Sequence, residues 1–270
     1  MKDFIYLVQG RSDLVIEYFH LQERDNADAI FLTYDRKING AVYFPNSTWS
    51  EGRNKLLKSA IEKGEYKYYI FCDDDIEIIS GSWDEFEKLL LKYKPAIGCP
   101  VFPKTKRSKI FFLIYQVFFV NDEQLIAIHH DLVKDNIVVP YQTEFDHLVW
   151  TLACSIQERL IQNFYFSDCL QFNKIEVLNK VHNRYDLTER KNSKKYIKEW
   201  MTKEFRNNYT SIYNPGKHGV FIKLKVLFYT VGYFIKTTLK PNDYTLNKTR
   251  LLEKLNTDSV LLKQYNEKNY

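Results

Sequence analysis

The sequence predicts an α/β fold, with a mostly parallel sheet that has helices on both faces. Over the first hundred residues, short apolar runs alternate with segments of helical periodicity, as in strands joined by crossover helices. The apolar run YKYYIFC then leads directly into three aspartates, as expected of a buried strand that ends at a ligand-binding edge. Between residues 110 and 140 apolar runs follow one another without a helix, which predicts an antiparallel addition.

Strands and helices are expected to alternate in the first part of the chain. The apolar runs predict strands at residues 4–9, 29–35, 41–45, 66–72 and 96–102. A helix is expected from Asp13 to about Gln22. Thr48 and Glu51 have the spacing of a capping box, so a second helix begins there and ends at Gly64. A third helix begins at Ser82 and ends before Pro95.

The second part of the chain changes character. Two consecutive strands are expected at 111–120 and 125–133, followed by a helix from about residue 146 to residue 162. No carboxylate occurs between Phe205 and Asn242, which marks a change in composition near Pro215. We therefore predict a catalytic domain at 1–215 and a basic, aromatic, helical tail at 216–270.

Composition sets bounds on location and on partners. The 270 residues are enough for one large domain, or for one domain with an appendage. A net charge of +5 is too mild to predict binding to nucleic acid. Four widely spaced cysteines in apolar stretches indicate reduced thiols. The first apolar run is too short for a secretory signal, and no run approaches the length of a membrane span. These features predict a cytoplasmic protein, soluble or peripherally attached to a membrane.

The acidic triplet Asp73, Asp74 and Asp75 is the strongest candidate site. Ionised carboxylates are costly to desolvate, so we expect the three to lie at the exposed C-terminal end of their strand. Side chains alternate along a strand, which would direct Asp73 and Asp75 to one side and Asp74 to the other. Two converging carboxylates suit a hard cation such as Mg²⁺ or Mn²⁺. The alternative is a solvated acidic turn, which the preceding apolar strand makes less favoured.

A longer pattern includes the triplet. The run EGRNKLLKSAIEKGEYKYYIFCDDD resembles the GT-A glycosyltransferases, in particular inverting enzymes of the family-2 type and bacterial relatives that build surface polysaccharides. The resemblance uses Gly52, Arg53, Asn54, Ala60, Gly64 and the triplet, in that order. It covers roughly residues 1–190 and is strongest at 50–80. It implies a GT-A fold and metal-dependent transfer of a sugar from a nucleotide-sugar donor to a saccharide acceptor, which could be lipid-linked.

The resemblance also implies roles for individual residues. Asp75 would ligate Mn²⁺ or Mg²⁺ directly, and Asp73 would reach the donor ribose, or the metal through a water molecule. The remaining donor-binding candidates lie at strand ends, in the first turn of a helix or within the triplet: Gln9, Gly10, Arg11, Asp35, Arg53, Asn54 and Asp74. For the first four of these positions an ordinary turn at the end of a strand is a competing interpretation.

An inverting transfer also needs a general base. Relatives place a carboxylate for this at the start of a helix after the antiparallel insertion, which favours Asp146 over Glu144. The family usually has two adjacent acids, whereas here Phe145 separates them. His182 fits by order as a further metal ligand, and His218 is its rival.

Residues 219–240 combine an apolar body with four lysines and no acid. This composition is typical of a segment that lies on an anionic membrane surface, and a helix docked on the catalytic domain is the alternative.

Two other functions remain open at this stage. A sugar-phosphate nucleotidyltransferase would share the α/β core and an acidic metal site, but it would need a glycine-rich loop after the first strand, where QGRSDLV has one glycine. A non-catalytic, transferase-like binding module at the membrane would retain the repulsion among three aspartates without benefit from it.

Overall fold

A computed structural model describes residues 2–102, 109–110, 113–117, 124–134, 141, 143 and 169–180, together with 224, 227–228, 230–232 and 234–235. The predicted helix at 146–162 lies outside the described residues.

The described residues up to 180 contain nine strands and four short to medium α-helices. The strands are β1 (Phe4–Gly10), β2 (Ala27–Thr33), β3 (Val42–Tyr43), β4 (Tyr68–Asp73), β5 (Ile76–Ser80), β6 (Ile97–Val101), β7 (Tyr115–Val117), β8 (Leu125–His129) and β9 (Cys169–Asn179). The helices are α1 (Ser12–Val15), which continues as a 3₁₀ segment (Ile16–Glu23), α2 (Trp49–Lys63), α3 (Trp83–Tyr93) and α4 (His130–Lys134). The described positions between 224 and 235 are also helical.

The nine strands form one mixed sheet in the order β3-β2-β1-β4-β8-β6-β9-β5, with β7 paired to β9. The pairs β1–β2, β1–β4, β2–β3 and β6–β9 are parallel. β8 is antiparallel to β4 and β6, and β5 and β7 are antiparallel to β9. Among the described strands, six therefore run in one direction and three run against them. The predicted α/β class, mostly parallel with an antiparallel addition, is confirmed.

Two central strands set the position of the candidate site. Every residue of β1 and of β4 is buried, as expected of parallel strands covered on both faces. The two strands are in parallel register, and Gln9 lies opposite Asp73. The carboxyl ends of β1 and β4 therefore meet at the edge where the acidic triplet begins.

The helix starts follow the predicted capping chemistry. The Thr48 side chain accepts a hydrogen bond from the Glu51 N–H, and the Glu51 carboxylate accepts one from the Thr48 N–H, so the capping box of α2 is complete. The Ser82 hydroxyl likewise accepts a hydrogen bond from the Glu85 N–H at the start of α3. Both caps confirm the starts that the sequence predicts.

Three features of the fold differ from the sequence-based expectations. The strands β5 and β9 are not among the predicted elements. The predicted strand at 125–133 ends at His129, and the chain continues as α4. The predicted helix after β1 is only partly α-helical, because its longer part is the 3₁₀ segment. No helix within the described residues has both the length and the apolar character needed to cross a bilayer.

Candidate functional site

The acidic triplet lies at the carboxyl end of β4, as predicted, but it is buried rather than exposed. β4 ends at Asp73, and Asp74 and Asp75 form the turn that leads into β5. The exposed fractions are 8% for Asp73, 3% for Asp74 and 8% for Asp75. Because the strand ends at Asp73, side-chain alternation does not extend to the other two residues. Each carboxylate must therefore be compensated separately.

Asp73 is compensated by a buried arginine from α2. Arg53 is 0% exposed, and its Nη2 donates to Asp73 Oδ1 at 2.8 Å. The same oxygen accepts a hydrogen bond from Trp49 Nε1 at 3.1 Å. The Arg53 guanidinium lies 3.9 Å above the Trp49 ring in a cation–π contact. Arg53, expected to bind the donor, thus has no exposed surface, and its guanidinium contacts Asp73 and Trp49 within the protein.

Burial and neighbouring charges control the ionisation of Asp73. Burial raises the pKa of its carboxyl, the charge and hydrogen bond of Arg53 lower it, and the charges of Asp75 and Asp74 raise it again. The resulting pKa is about 6, so the carboxylate is ionised at neutral pH. Within the described residues, no group hydrogen-bonds to Asp73 Oδ2. The pair with Arg53 therefore fixes the carboxylate through Oδ1.

Asp74 fastens the loop that follows β1. Its Oδ2 accepts a hydrogen bond from the Arg11 N–H at 2.7 Å. A Cβ placed on Gly10 would lie 2.1 Å from the Asp74 side chain, so the close approach of these two segments requires glycine. The Arg11 side chain is exposed and paired with Asp13. Gly10, Arg11 and Asp74 are all predicted to bind the donor. The contacts of Gly10 and Asp74 show that both also hold the loop after β1 against the triplet.

Asp35 is also engaged within the protein. Its two carboxylate oxygens accept hydrogen bonds from the Ser12 N–H at 2.8 Å and from the Ser12 hydroxyl at 3.0 Å. Burial alone would raise the pKa of Asp35, but these hydrogen bonds outweigh it and lower the pKa below its usual value. Asp35 therefore secures the start of α1, beside the point where Asp74 holds Arg11.

Gln9 faces the start of α2. Its Nε2 donates to the Trp49 carbonyl at 3.1 Å, and its Oε1 is buried without a hydrogen-bond partner among the described residues. A Cβ on Gly52 would lie 2.5 Å from that oxygen. The glycine of the sequence pattern thus has a physical reason, since it leaves room for the Gln9 amide between β1 and α2.

Tyr141 is a site residue that the sequence does not reveal. Asn54 Nδ2 donates to its carbonyl at 2.7 Å, and its N–H donates to Asn54 Oδ1 at 2.6 Å. Its hydroxyl lies 3.3 Å from Arg53 Nη1, and its ring meets Trp49 and Phe71 edge to face. Asn54, expected to bind the donor, instead anchors this tyrosine. No signal in a single sequence distinguishes Tyr141 from the other 19 tyrosines.

Four predicted site residues lie outside the described part of the chain: Glu144, Asp146, His182 and His218. Two of their sequence neighbours are described. Tyr141, three residues before Glu144, packs on Arg53. Lys180, two residues before His182, donates its N–H to the Asp75 carbonyl at 2.7 Å. Both neighbours lie beside the triplet.

The described residues do not by themselves form a site for a divalent cation. They contain no group of three or more His, Cys, Asp or Glu side chains arranged to hold a metal ion. Asp73 Oδ1 and Asp74 Oδ2 are bonded to protein donors. Mg²⁺ in nucleotide sites is commonly held by one or two carboxylates, with phosphates and water completing the coordination. A cation here would therefore need phosphate or water ligands in addition to the carboxylates of the triplet.

A cavity of about 450 Å³ lies at the far end of β5, away from the triplet. Its walls come from β5, β9 and the segments near residues 85, 109 and 114: Ser80, Gly81, Glu85, Lys109, Leu113, Ile114, Asn173 and Lys174. Its lining includes no residue of the triplet, so it is separate from the candidate site.

No protein-family model matches the chain, and no curated protein matches it. Several solved structures are similar in fold. A structure of S. aureus TarS 1–349 in complex with UDP-GlcNAc has a TM-score of 0.49 and 10% identity, covering 93% of this chain and 78% of that one. A197 from STIV has a TM-score of 0.41 and 10% identity, covering 67% and 87%.

A third similar structure is CMP:2-keto-3-deoxy-manno-octonic acid synthetase complexed with CTP. Its TM-score is 0.37 with 12% identity, covering 73% of this chain and 98% of that one. At these identities and TM-scores, similarity does not establish what this chain binds, and the function has to be argued from its own side chains.

Proposed function

We propose that this chain is a glycosyltransferase that binds a nucleotide-sugar at the carboxyl edge of β1 and β4. The observation that supports this most is the state of Asp73: a buried carboxylate, fixed through Oδ1 by a fully buried arginine, with Oδ2 unbonded by the described residues. Ligands of open α/β sheets bind outside the carboxyl ends of the strands. An oriented acceptor oxygen at that edge suits a ribose hydroxyl, or a water molecule on a cation.

The proposed site uses a divalent cation, Mn²⁺ or Mg²⁺, with Asp75 as the direct ligand and Asp73 as the indirect one. When bound, the cation would neutralise the negative charge that develops on the departing nucleoside diphosphate. The chain's own residues keep the site in place. Arg53 orients Asp73, and the Arg11 N–H orients Asp74, so the turn is fixed before the donor arrives.

The acceptor is proposed to be a saccharide hydroxyl, in cell-surface polysaccharide synthesis. Its oxygen would attack the anomeric carbon while the bond from that carbon to the phosphate oxygen breaks, with inversion. The hydroxyl proton would pass to a carboxylate, for which we propose Asp146, with Glu144 as the alternative. Tyr141 packs against Arg53 and precedes Glu144 by three residues and Asp146 by five, so the chain is short enough for either carboxylate to reach the site.

A thermal-shift screen with nucleoside diphosphates, each with and without Mn²⁺, tests the proposal. We expect one nucleotide to raise the melting temperature in a Mn²⁺-dependent manner. The matching nucleotide-sugar should then release that nucleoside diphosphate when acceptor glycans are added. Absence of any Mn²⁺-dependent shift would contradict the proposal. Release of pyrophosphate from a nucleoside triphosphate and a sugar phosphate would instead identify a nucleotidyltransferase.

We further propose that the segment 219–240 contacts an anionic membrane, so that the acceptor could be lipid-linked. Leu224, Phe228, Val231 and Ile235 are all exposed, and their spacing places them on one face of the helical segment. Phe228 is 77% exposed, which is unusual for phenylalanine. The sequence around this apolar face contains lysines and no acid, which is complementary to anionic lipid.

Vesicle flotation of the full chain tests this contact. We expect the chain to float with vesicles that contain anionic lipid and to do so less with neutral phosphatidylcholine vesicles. Phe228→Glu combined with Val231→Glu should abolish flotation, whereas Ile61→Glu, at an apolar residue of α2 that is 53% exposed, should not. Equal flotation of all variants would exclude the apolar face as the contact.

A further inference from the structure

A tyrosine from the 3₁₀ segment closes the open edge of β5 directly after the triplet. The Tyr18 hydroxyl donates a hydrogen bond to the Ile76 carbonyl and accepts one from the Ile76 N–H at 3.0 Å. Tyr18 is 4% exposed. β5 is the last of the described strands in the order of the sheet, so the outward-facing N–H and C=O of Ile76 have no partner among those strands. One side chain therefore satisfies both backbone groups of the residue that follows Asp75.

The opposite side of the same backbone is held through β9. The Lys180 N–H donates to the Asp75 carbonyl at 2.7 Å, in register with the pairing of Ile76 and Asn179. The Lys180 ammonium in turn donates to Glu17 Oε2 at 2.5 Å. Glu17 and Tyr18 are adjacent in the 3₁₀ segment, so this segment holds the Asp75 backbone from both sides.

The 3₁₀ segment is itself anchored by the triplet. The Asp74 carboxylate accepts the Arg11 N–H, and α1 leads from Arg11 directly into the 3₁₀ segment. Asp74 thus fixes the beginning of the segment that contains Tyr18, while Tyr18 fixes the backbone immediately beyond Asp75. The 3₁₀ segment and the turn at Asp74 and Asp75 therefore hold each other in place. Movement of one would break the hydrogen bonds that fix the other.

We propose that Tyr18 is a positioning residue for Asp75: its hydroxyl holds the Asp75–Ile76 backbone so that the Asp75 carboxylate is oriented for the cation of a bound nucleotide. The ligand in this inference comes from the proposed function. The clamp, by which we mean the two hydrogen bonds between the Tyr18 hydroxyl and the Ile76 backbone, is seen in the structure itself. Tyr18 does not itself touch the ligand. Its effect reaches the site through a backbone that must stay within a fraction of an ångström to coordinate an ion well.

The substitution Tyr18→Phe removes the hydroxyl and keeps the ring. Tyr68→Phe is the matched control, because the Tyr68 hydroxyl also donates to a backbone carbonyl, that of Pro95 at 2.9 Å, and Tyr68 lies at the opposite end of β4. We expect Tyr18→Phe to weaken Mn²⁺-dependent nucleotide binding at least fivefold in calorimetric titrations, with metal-free binding unchanged. Tyr68→Phe should keep the wild-type Mn²⁺ dependence even where it lowers the melting temperature.

Amide hydrogen exchange of the ligand-free protein provides the readout that does not need a ligand. In Tyr18→Phe, we expect the amides of residues 75–77 to exchange at least tenfold faster than in the wild type and in Tyr68→Phe. Unchanged exchange in this segment overturns the proposal, as does equal Mn²⁺ dependence in the two variants. If the wild type binds no nucleotide, the proposed function fails, the positioning role falls with it, and the exchange data decide only whether the clamp exists.

Discussion

Arg53 and Asp73 form an ion pair inside the protein, in which both side chains are buried. A buried ion pair adds little net stability over an apolar pair, but removal of one member leaves the other charge desolvated and uncompensated. Loss of one partner of a buried pair is therefore costly, whereas loss of one partner of an exposed ion pair has little effect on stability.

Arg53→Met should therefore lower the free energy of unfolding by about 3–5 kcal/mol, because it leaves the Asp73 carboxylate buried without a cation. Chemical denaturation at neutral pH measures the effect. Arg36→Met, at an exposed position, is the control and should change stability by less than about 0.5 kcal/mol. The double variant Arg53→Met with Asp73→Asn should recover part of the loss. An Arg53→Met protein as stable as the wild type would contradict the pairing.

Asp35 gives a pH-dependent prediction. Its pKa is lowered in the folded protein from a usual value near 3.8, so its contribution to stability is present above that value and is lost as pH falls through the lower, folded pKa. Asp35→Ala should cost about 1 kcal/mol at pH 7 through the lost hydrogen bonds to Ser12. The difference between the two proteins should shrink below about pH 4. A difference that stays constant down to pH 2.5 in denaturation curves would refute this account.

The sequence predicted the positions of the candidate residues in the sheet better than it predicted the contacts of their side chains. It located the triplet, Gln9 and Gly10 at the carboxyl edge of the sheet, because strand ends can be recognised from apolar runs and the residues that follow them. It could not assign Arg53 to Asp73 rather than to a ligand. Both roles need a cation at the start of α2, and only the packing of Trp49 over the guanidinium decides between them.

The elements that were recognised from the sequence are those with local signals. The capping pairs at Thr48 and Ser82 and the apolar runs of β1, β4 and β6 depend on near neighbours in the chain. β9 was missed because buried amides interrupt its apolar pattern. Gln171 is 0% exposed and Asn173 is 3% exposed, and Asn173 bonds to Gln116 of β7. Because these amides are buried through partners on another strand, the sequence of β9 alone does not show the alternation of apolar and polar residues that predicts a strand.

The end of β8 shows a second limit of local patterns. Leu132 and Val133 extend the apolar run of β8 and suggested a strand to residue 133, yet they are buried in α4. A short apolar run does not distinguish a buried strand from a buried turn of helix. The hydrogen bond from the His130 N–H to the Lys67 carbonyl, at 2.9 Å, fixes the point at which the strand ends.

The contact between the β1 loop and the triplet can be tested with one methyl group. Gly10→Ala places a Cβ within 2.1 Å of the Asp74 side chain, so either the loop or the turn must shift. We expect a loss of about 3 kcal/mol in the free energy of unfolding, at the upper end of overpacking costs. Gly232→Ala is the control, since no atom lies within 4 Å of its added Cβ and its backbone is helical, and it should be neutral or slightly stabilising. Equal stability of both variants would exclude the close approach.

At the scale of the whole molecule, the order of strands brings together residues that are distant in the chain. β1 and β4 are adjacent in the sheet, although α1, β2, β3 and α2 separate them in sequence. β5 and β9 then place residue 180 beside residue 75. The parallel half of this order could be predicted from alternating elements, whereas the β5–β9 pair joins segments a hundred residues apart. The division into domains at 1–215 and 216–270 remains a prediction.

The central claim is that the carboxyl edge of β1 and β4 binds a nucleoside diphosphate together with a divalent cation through Asp75. Isothermal titration of the nucleotide selected by the thermal-shift screen, with saturating Mn²⁺ and with EDTA, tests it most directly. The titration should compare the wild type, Asp75→Asn and Glu77→Gln, which removes one exposed carboxylate two residues away. We predict that Asp75→Asn raises the dissociation constant with Mn²⁺ at least tenfold, about 1.4 kcal/mol, while Glu77→Gln leaves it unchanged. The same Mn²⁺-dependent affinity in all three proteins would contradict the claim.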